Sequence, residues 1–192
     1  MAQAIGAEVN CLIVPGLNGS GPSHWQTRWE EERRDCVRVE LGRWSDPIRD
    51  LWIGRLERAV MAAPGPAILV AHSLGCLATV WWAALAEPGI CGKVKGVMLV
   101  APADVEAPDA HPLLRRFASA PAGPLPFPAI LVASHDDPYA TFARQRDMAA
   151  QWHCQLIDVG RRGHINADSG LGSWPEGQLL LEGLIERSMI RI

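Results

Sequence analysis

The chain has 192 residues, 48% of them hydrophobic, and a formal net charge of −3. That length and apolar fraction supply one buried core and exclude a disordered chain; with no basic excess and no Lys/Arg cluster, nucleic-acid binding is excluded as well. No apolar run reaches the ~20 residues of a membrane span, the start MAQAIGAEVNCLIV lacks the basic region of a secretory signal, and five scattered cysteines without a C-x-x-C pair predict reduced thiols in the cytoplasm, with no zinc site.

In chain order, the first element is a strand at Cys11–Val14. It stops at Pro15 and runs into the glycine-rich turn Gly16–Gly21, after which a helix is predicted over Ser23–Arg34. The turn nearly spells the phosphate-binding pattern G-x-x-x-x-G-K-[ST], but Pro22 stands where the lysine belongs. A second strand is predicted at Val37–Leu41. A helix follows at Ile48–Ala62, with Leu51, Trp52, Leu56 and Ala59 on one face. The run Ala67–Ala71 is wholly apolar, as are Val97–Ala101 and most of Ile130–Ser134, which is the mark of strands covered on both faces. Helix Leu74–Ala86 is apolar nearly all round and is predicted to be buried. The stretch Pro102–Pro128 breaks the rhythm: it is rich in Pro and Ala, with a short helix at His111–Ala118, and reads as a surface connection or a small cap. Helix Thr141–Trp152, strand Gln155–Val159 and helix Pro175–Ile190 complete the set, the last opening on a capping-box spelling, Ser173 to Glu176. Alternation of this kind predicts an α/β fold: one domain over 1–192, a mostly parallel sheet of about six strands, and helices on both faces.

The stretch Ala71-His72-Ser73-Leu74-Gly75 carries the chemistry. It is the nucleophile-elbow pattern G-x-S-x-G with Ala in the first small position, set between a buried strand and a buried helix. Such a turn lifts the serine Oγ out of the sheet edge. The residues two before and two after it are expected to approach each other, so both are small. A plain helix cap at Ser73 is the simpler alternative. A serine nucleophile needs a base, and the base an orienting carboxylate. Asp136 and Asp137 follow the strand Ile130–Ser134, and His164 follows the strand Gln155–Val159. Both sites therefore lie at the carboxyl edge of the sheet, where α/β folds bind ligands. The chain order Ser, Asp, His is that of hydrolases with this elbow.

The segments PGLNGSGPSHWQTRWE, AHSLG, SHDDPY and GHINADSGLGSWPEG resemble the small lid-less α/β-hydrolases related to the retinoblastoma-binding serine hydrolases, especially bacterial members. The resemblance spans nearly the whole chain, with the motifs in the family's order. It implies an α/β-hydrolase fold with Ser73, Asp137 and His164 as catalytic residues, and esterase-like or peptidase-like activity. The retinoblastoma-binding L-x-C-x-E segment is absent, so that partner is not expected. In such a fold the loop after the first strand supplies half of the oxyanion hole, which makes the Leu17 and Leu74 amides the expected donors. A proline after Asp137 holds it extended at the strand end, whereas Asp136 is expected to bond loop amides.

Other residues take structural readings. His24 and Trp25 are expected to cap and pack the first helix, and the His72 side chain to face away from the substrate. His111, His135 and His153 are read as solvated or locally bonded. No histidine spacing fits a metal, and no cofactor is expected. Trp44, Leu113, Leu114 and Phe117 are the candidate substrate contacts. The function expected is hydrolysis of a small-molecule ester, thioester or amide. An aminopeptidase or amidase with the same triad and a non-catalytic binding module are the rivals; oligomeric state is left open.

Overall fold

Strands and helices alternate because the central strands are too apolar to leave a face in water. In the computed structural model, which describes residues 9–189, the order is β1 (Asn10–Val14), α1 (Trp25–Glu32), β2 (Cys36–Arg38), α2 (Arg49–Ala62), β3 (Ala67–His72), α3 (Leu74–Leu85), α4 (Pro88–Cys91), β4 (Val94–Val100), α5 (Pro112–Arg115), β5 (Ala129–Ala133), α6 (Phe142–Gln151), β6 (Gln155–Asp158) and α7 (Pro175–Met189). The six strands form one sheet in the order β2-β1-β3-β4-β5-β6, and every pairing is parallel. The chain moves outward from β1 to β2, then returns past β1 to β3. Loops at the carboxyl ends of β1 and β3 therefore leave in opposite directions and open a crevice, the usual ligand position of such sheets.

Side chains alternate between two cores with the period of a strand. Leu12, Val14, Leu69, Ala71, Val97, Leu99 and Leu131 pack with α2, α3 and α6 residues on one face. Cys11, Ile13, Ile68, Val70, Met98, Val100 and Val132 meet Trp25 and Trp29 of α1 and Leu181 and Leu184 of α7 on the other. Helix α3 is buried from Leu74 to Val80, as its apolar surface requires.

Four local expectations are corrected. Leu51 is exposed, and the buried face of α2 is Trp52, Ile53, Leu56 and Val60: Leu51 sits one position outside that stripe. The capping box at Ser173 does not form. Helix α7 begins at Pro175, Trp174 before it takes a left-handed φ of 45°, and the Ser173 hydroxyl donates to the Glu32 carboxylate instead. Pairing of β2 ends at Arg38 because this is an edge strand, although the Val39 amide still donates to the Ile13 carbonyl at 2.9 Å. The four-residue helix α4 was not expected; Pro88 at its first turn starts it. The predicted end of the last helix, Ile190, lies outside the described residues.

Candidate active site

Ser73 joins β3 to α3 with φ 54° and ψ −122°. Positive φ costs a non-glycine residue about 1–3 kcal/mol, and the neighbours hold it there: the Ser73 amide donates to the Val100 carbonyl at 3.0 Å, and its carbonyl accepts from the Cys76 amide. The side chain makes no helix-cap hydrogen bond, so the simple cap reading fails. Gly75 is required for a reason other than contact with Ala71. A Cβ at 75 would lie 2.3 Å from the Val14 carbonyl oxygen and 2.6 Å from that of Pro15, so α3 starts hard against the end of β1.

The structure brings Ser73, His164 and Asp137 together. The Ser73 Oγ lies 2.9 Å from His164 Nε2. His164 Nδ1 lies 2.9 and 3.0 Å from the two Asp137 oxygens. All three side chains are buried to within a tenth of their surface. Asp137 also accepts from the Tyr139 amide and from Gln145 Nε2, each at 2.9 Å. Gln145 is itself wholly buried on α6 and accepts from the Ser134 amide. Asp136 does not touch His164. It accepts from the Gly163 amide at 2.8 Å and the Ser134 hydroxyl at 2.9 Å, and these bonds hold its carboxyl below the usual carboxylate range. It thus ties the loop carrying His164 to the end of β5.

The loop after β1 presses on the same turn. A Cβ on Gly16 would lie 2.9 Å from Ser73 Cβ and 3.2 Å from the Leu74 nitrogen. Asn18 and Gly19 both take left-handed φ, 65° and 72°, and the Gly19 amide closes the turn on the Gly16 carbonyl. Among the described residues neither the Leu17 nor the Leu74 amide donates to a protein acceptor. The Leu74 amide follows Ser73 in the chain, and Leu17 lines the same cleft as Ser73. No lysine is near to serve a phosphate.

Ser73, His164, Leu17, Asn18 and Gly19 line a cleft of about 570 Å³. Leu17, Leu113, Leu114 and Tyr139 give it an apolar side, and Asn18, His24, His111 and Asn166 a polar one. Leu113 and Leu114 come from α5, so His111 to Leu114 are the part of the Pro102–Pro128 stretch that lines the cleft. Two expected contacts are corrected. Phe117 is fully buried, its ring 5.5 Å from that of Trp52, and belongs to the core. Trp44 lies behind the loop, its ring 3.4 Å from where a Gly19 Cβ would be, while its carbonyl accepts from the Asn18 amide. It props the loop and does not line the cleft.

The histidines divide differently from expectation. His135 bonds Asp158 at 2.8 Å and stacks on Phe142, a local role. His111 caps α5 through Nδ1 and also lines the cleft. His72 lines the cleft wall, and its Nε2 lies 3.0 Å from the His164 carbonyl oxygen; burial first, then His164 and His24, keep it well below the usual imidazole pKa. Trp25 Nε1 donates to the next carbonyl, that of Ile165, at 2.8 Å. The backbone around His164 is therefore pinned from β3 and from α1. His24 caps α1 as expected, Nδ1 accepting from the Gln26 amide, but it too lines the cleft. Gln145, Tyr139, Asn18 and Asn166 were not singled out from the sequence. A glutamine at an inward position of α6 is the one signal available beforehand.

The family model described as Serine hydrolase matches residues 11–183. The YdeN protein of Bacillus subtilis (strain 168) is 26% identical over 176 residues, 85% of this chain and 89% of that protein. The crystal structure of a YdeN-like protein from Pectobacterium atrosepticum superposes with a TM-score of 0.80 at 35% identity, covering 95% of this chain and 92% of that one. The fold is also that of mouse alpha/beta hydrolase domain-containing protein 10, with a TM-score of 0.65 at 16% identity over 92% of this chain and 91% of that one.

Proposed function

Because the chain belongs to the Serine hydrolase family, we propose that it cleaves a small ester, thioester or amide through an acyl-enzyme on Ser73, in the manner of a carboxylesterase. The observation that carries this is the unbroken line from Asp137 through His164 to the Ser73 Oγ, opening on a cleft with two free amides. Ser73 Oγ attacks the carbonyl carbon while His164 Nε2 takes its proton. The carbonyl oxygen becomes negative against the Leu17 and Leu74 amides. His164 returns the proton to the leaving group, and the acyl group stays on Ser73. Water then attacks the acyl carbon, loses its proton to His164, and the acid leaves as Ser73 regains the proton. Asp137 holds the imidazole with its proton on Nδ1 throughout.

The aminopeptidase alternative is disfavoured by the cleft, since none of the residues lining it is Asp or Glu and a cationic amino terminus would find no counter-charge. A binding module has no need of the aligned proton path. The five cysteines, all free, support a reducing, cytoplasmic setting.

A fluorophosphonate probe tests the proposal. It should label Ser73 in the wild type and nothing in Ser73→Ala, which should also lose hydrolysis of a short activated ester. A folded wild-type protein that stays unlabelled would favour the binding module.

A further inference from the structure

Among the described residues, four buried side-chain nitrogens find no acceptor: His24 Nε2, Arg28 Nε, Trp52 Nε1 and Trp82 Nε1. Of these four residues, only His24 lines the cleft that holds Ser73. A buried donor left unmade is uncommon in a folded protein and calls for a reason.

The proton on that ring can be placed. His24 Nδ1 accepts the Gln26 amide at 3.1 Å, so Nδ1 is bare. A neutral ring then carries its hydrogen on Nε2, which is a donor only. Burial first, then the nearby His164 and Arg38, push its pKa down to about 4, so the ring is neutral at physiological pH. It cannot turn to satisfy itself. The helix cap holds one edge, Trp25 lies against it with centroids 5.4 Å apart, and the His72 ring meets it at 4.7 Å and 71°. An acceptor must therefore be brought to it, and the cleft is where one can come from.

We propose that His24 Nε2–H is a substrate-binding donor, and that the substrate carries a second, uncharged oxygen acceptor, such as a ketone, amide, ether or hydroxyl oxygen, besides its scissile carbonyl. The cleft itself decides the charge. No Lys or Arg lines it, and the nearby Arg38 is already paired with Glu30 at 2.8 Å, so a carboxylate brought to His24 would lose water without gaining a free counter-ion. Asn18 and Asn166 lie among the same lining residues and add neutral hydrogen-bonding capacity, while Leu113, Leu114 and Tyr139 accept the apolar remainder. This rests on the reading of the cleft as the hydrolytic site.

Two measurements test it. In the first, p-nitrophenyl 4-oxopentanoate, p-nitrophenyl pentanoate and p-nitrophenyl hemisuccinate are compared by kcat/KM, each corrected for its rate with hydroxide. The oxo ester should exceed the pentanoate by about tenfold or more and exceed the hemisuccinate. In His24→Asn and His24→Ser, which keep a helix-capping oxygen but have nothing at Nε2, the oxo-to-pentanoate ratio should fall to within about twofold of one. An unchanged ratio in folded variants overturns the proposal, and a wild-type preference for hemisuccinate overturns its charge. In the second, methyl 4-oxopentanoate is added to ¹⁵N-histidine-labelled Ser73→Ala protein, and should move the His24 Nε2–H resonance, whereas methyl pentanoate should not. This readout does not depend on turnover. If no ester is cleaved by the wild type but the resonance moves, the hydrolytic reading fails and the donor site stands; if esters are cleaved but neither ratio nor resonance responds, the donor site fails alone.

Discussion

Asp136 and Asp137 are adjacent carboxylates with separate work. Both Asp137 oxygens face His164 Nδ1, so Asp137→Asn would turn an amide toward the ring and favour the tautomer with its proton on Nε2. In serine proteases that change costs about 10⁴ in turnover, and a loss of that order is expected here. Asp136→Asn keeps an oxygen for the Ser134 hydroxyl and the Gly163 amide, which share one carboxylate oxygen, and loses only the charge that faces Arg161 at 3.6 Å, so turnover should fall by less than about tenfold. Measuring turnover and Tm for both variants separates the two; an active Asp137→Asn beside a folded, inactive Asp136→Asn would move the assignment by one residue. Gln145→Leu should also slow turnover, since it strips a donor from the Asp137 carboxylate and leaves the Ser134 amide unpaired, at a stability cost of about 1–3 kcal/mol; urea denaturation reads the second effect. Ser73, Asp137 and His164, which the structure brings within hydrogen-bonding distance, were legible because each lies in a recognisable spelling in the loop after a strand. Gln145, His24 and Asn166 were not: Gln145 reaches Asp137 from a buried helix face, and His24 and Asn166 reach the cleft from a helix cap and a loop, whose placement only folding decides. Trp44 and Phe117 misled for the same reason: being near the site in sequence terms did not say which side of the wall they occupy.

At the scale of elements, the apolar runs gave the sheet and its main helices, since continuous burial leaves a strand few other choices. Their ends were less legible. Pairing at the edge strand β2 stops where no second neighbour holds it, and α4 is a single turn with no periodicity to read. The junction of β3, α3 and β1 leaves no room for a side chain at Gly75. Gly75→Ala would force a methyl group to 2.3 Å from a backbone carbonyl oxygen, which no side-chain movement can relieve. It should destabilise by at least the ~1–3 kcal/mol of an overpacked core and lower ester turnover further by shifting Ser73. Gly54→Ala is the matched contrast. It lies inside α2 with nothing within 4 Å of its Cβ position, so the better helix former should stabilise by about 0.5–1 kcal/mol. Thermal unfolding of the two variants should therefore move in opposite directions; a stable, active Gly75→Ala would mean that the helix can slide away from β1.

For the whole molecule, the site and the fold share a pH dependence through its buried imidazoles. His24 and His72 stand between α1, the end of β3 and the His164 loop, their rings 4.7 Å apart, with the His72 and His164 rings 4.8 Å apart. Burial is the main force on both rings, followed by His164 and Arg38 for His24 and by His164 and His24 for His72. Each lowers the folded pKa. The unfolded chain titrates its histidines near ~6.5. Above that pH both states are neutral and the contribution to stability is complete. As pH falls from about 6.5 toward the folded value of about 4, the unfolded chain binds a proton that the folded chain refuses, so stability declines. For His24 the full loss amounts to about 3 kcal/mol, and His72 adds to it in the same direction. The wild type should therefore lose stability steadily between pH 7 and pH 4.5 in urea titrations. His24→Asn cannot titrate there, and His72→Gln keeps an N–H for the His164 carbonyl while removing the second imidazole. Each should flatten the pH dependence, and the double variant should flatten it most. Curves that stay parallel to the wild type would show that these rings take up protons inside the fold, and that the histidines around Ser73 are not held neutral by their burial.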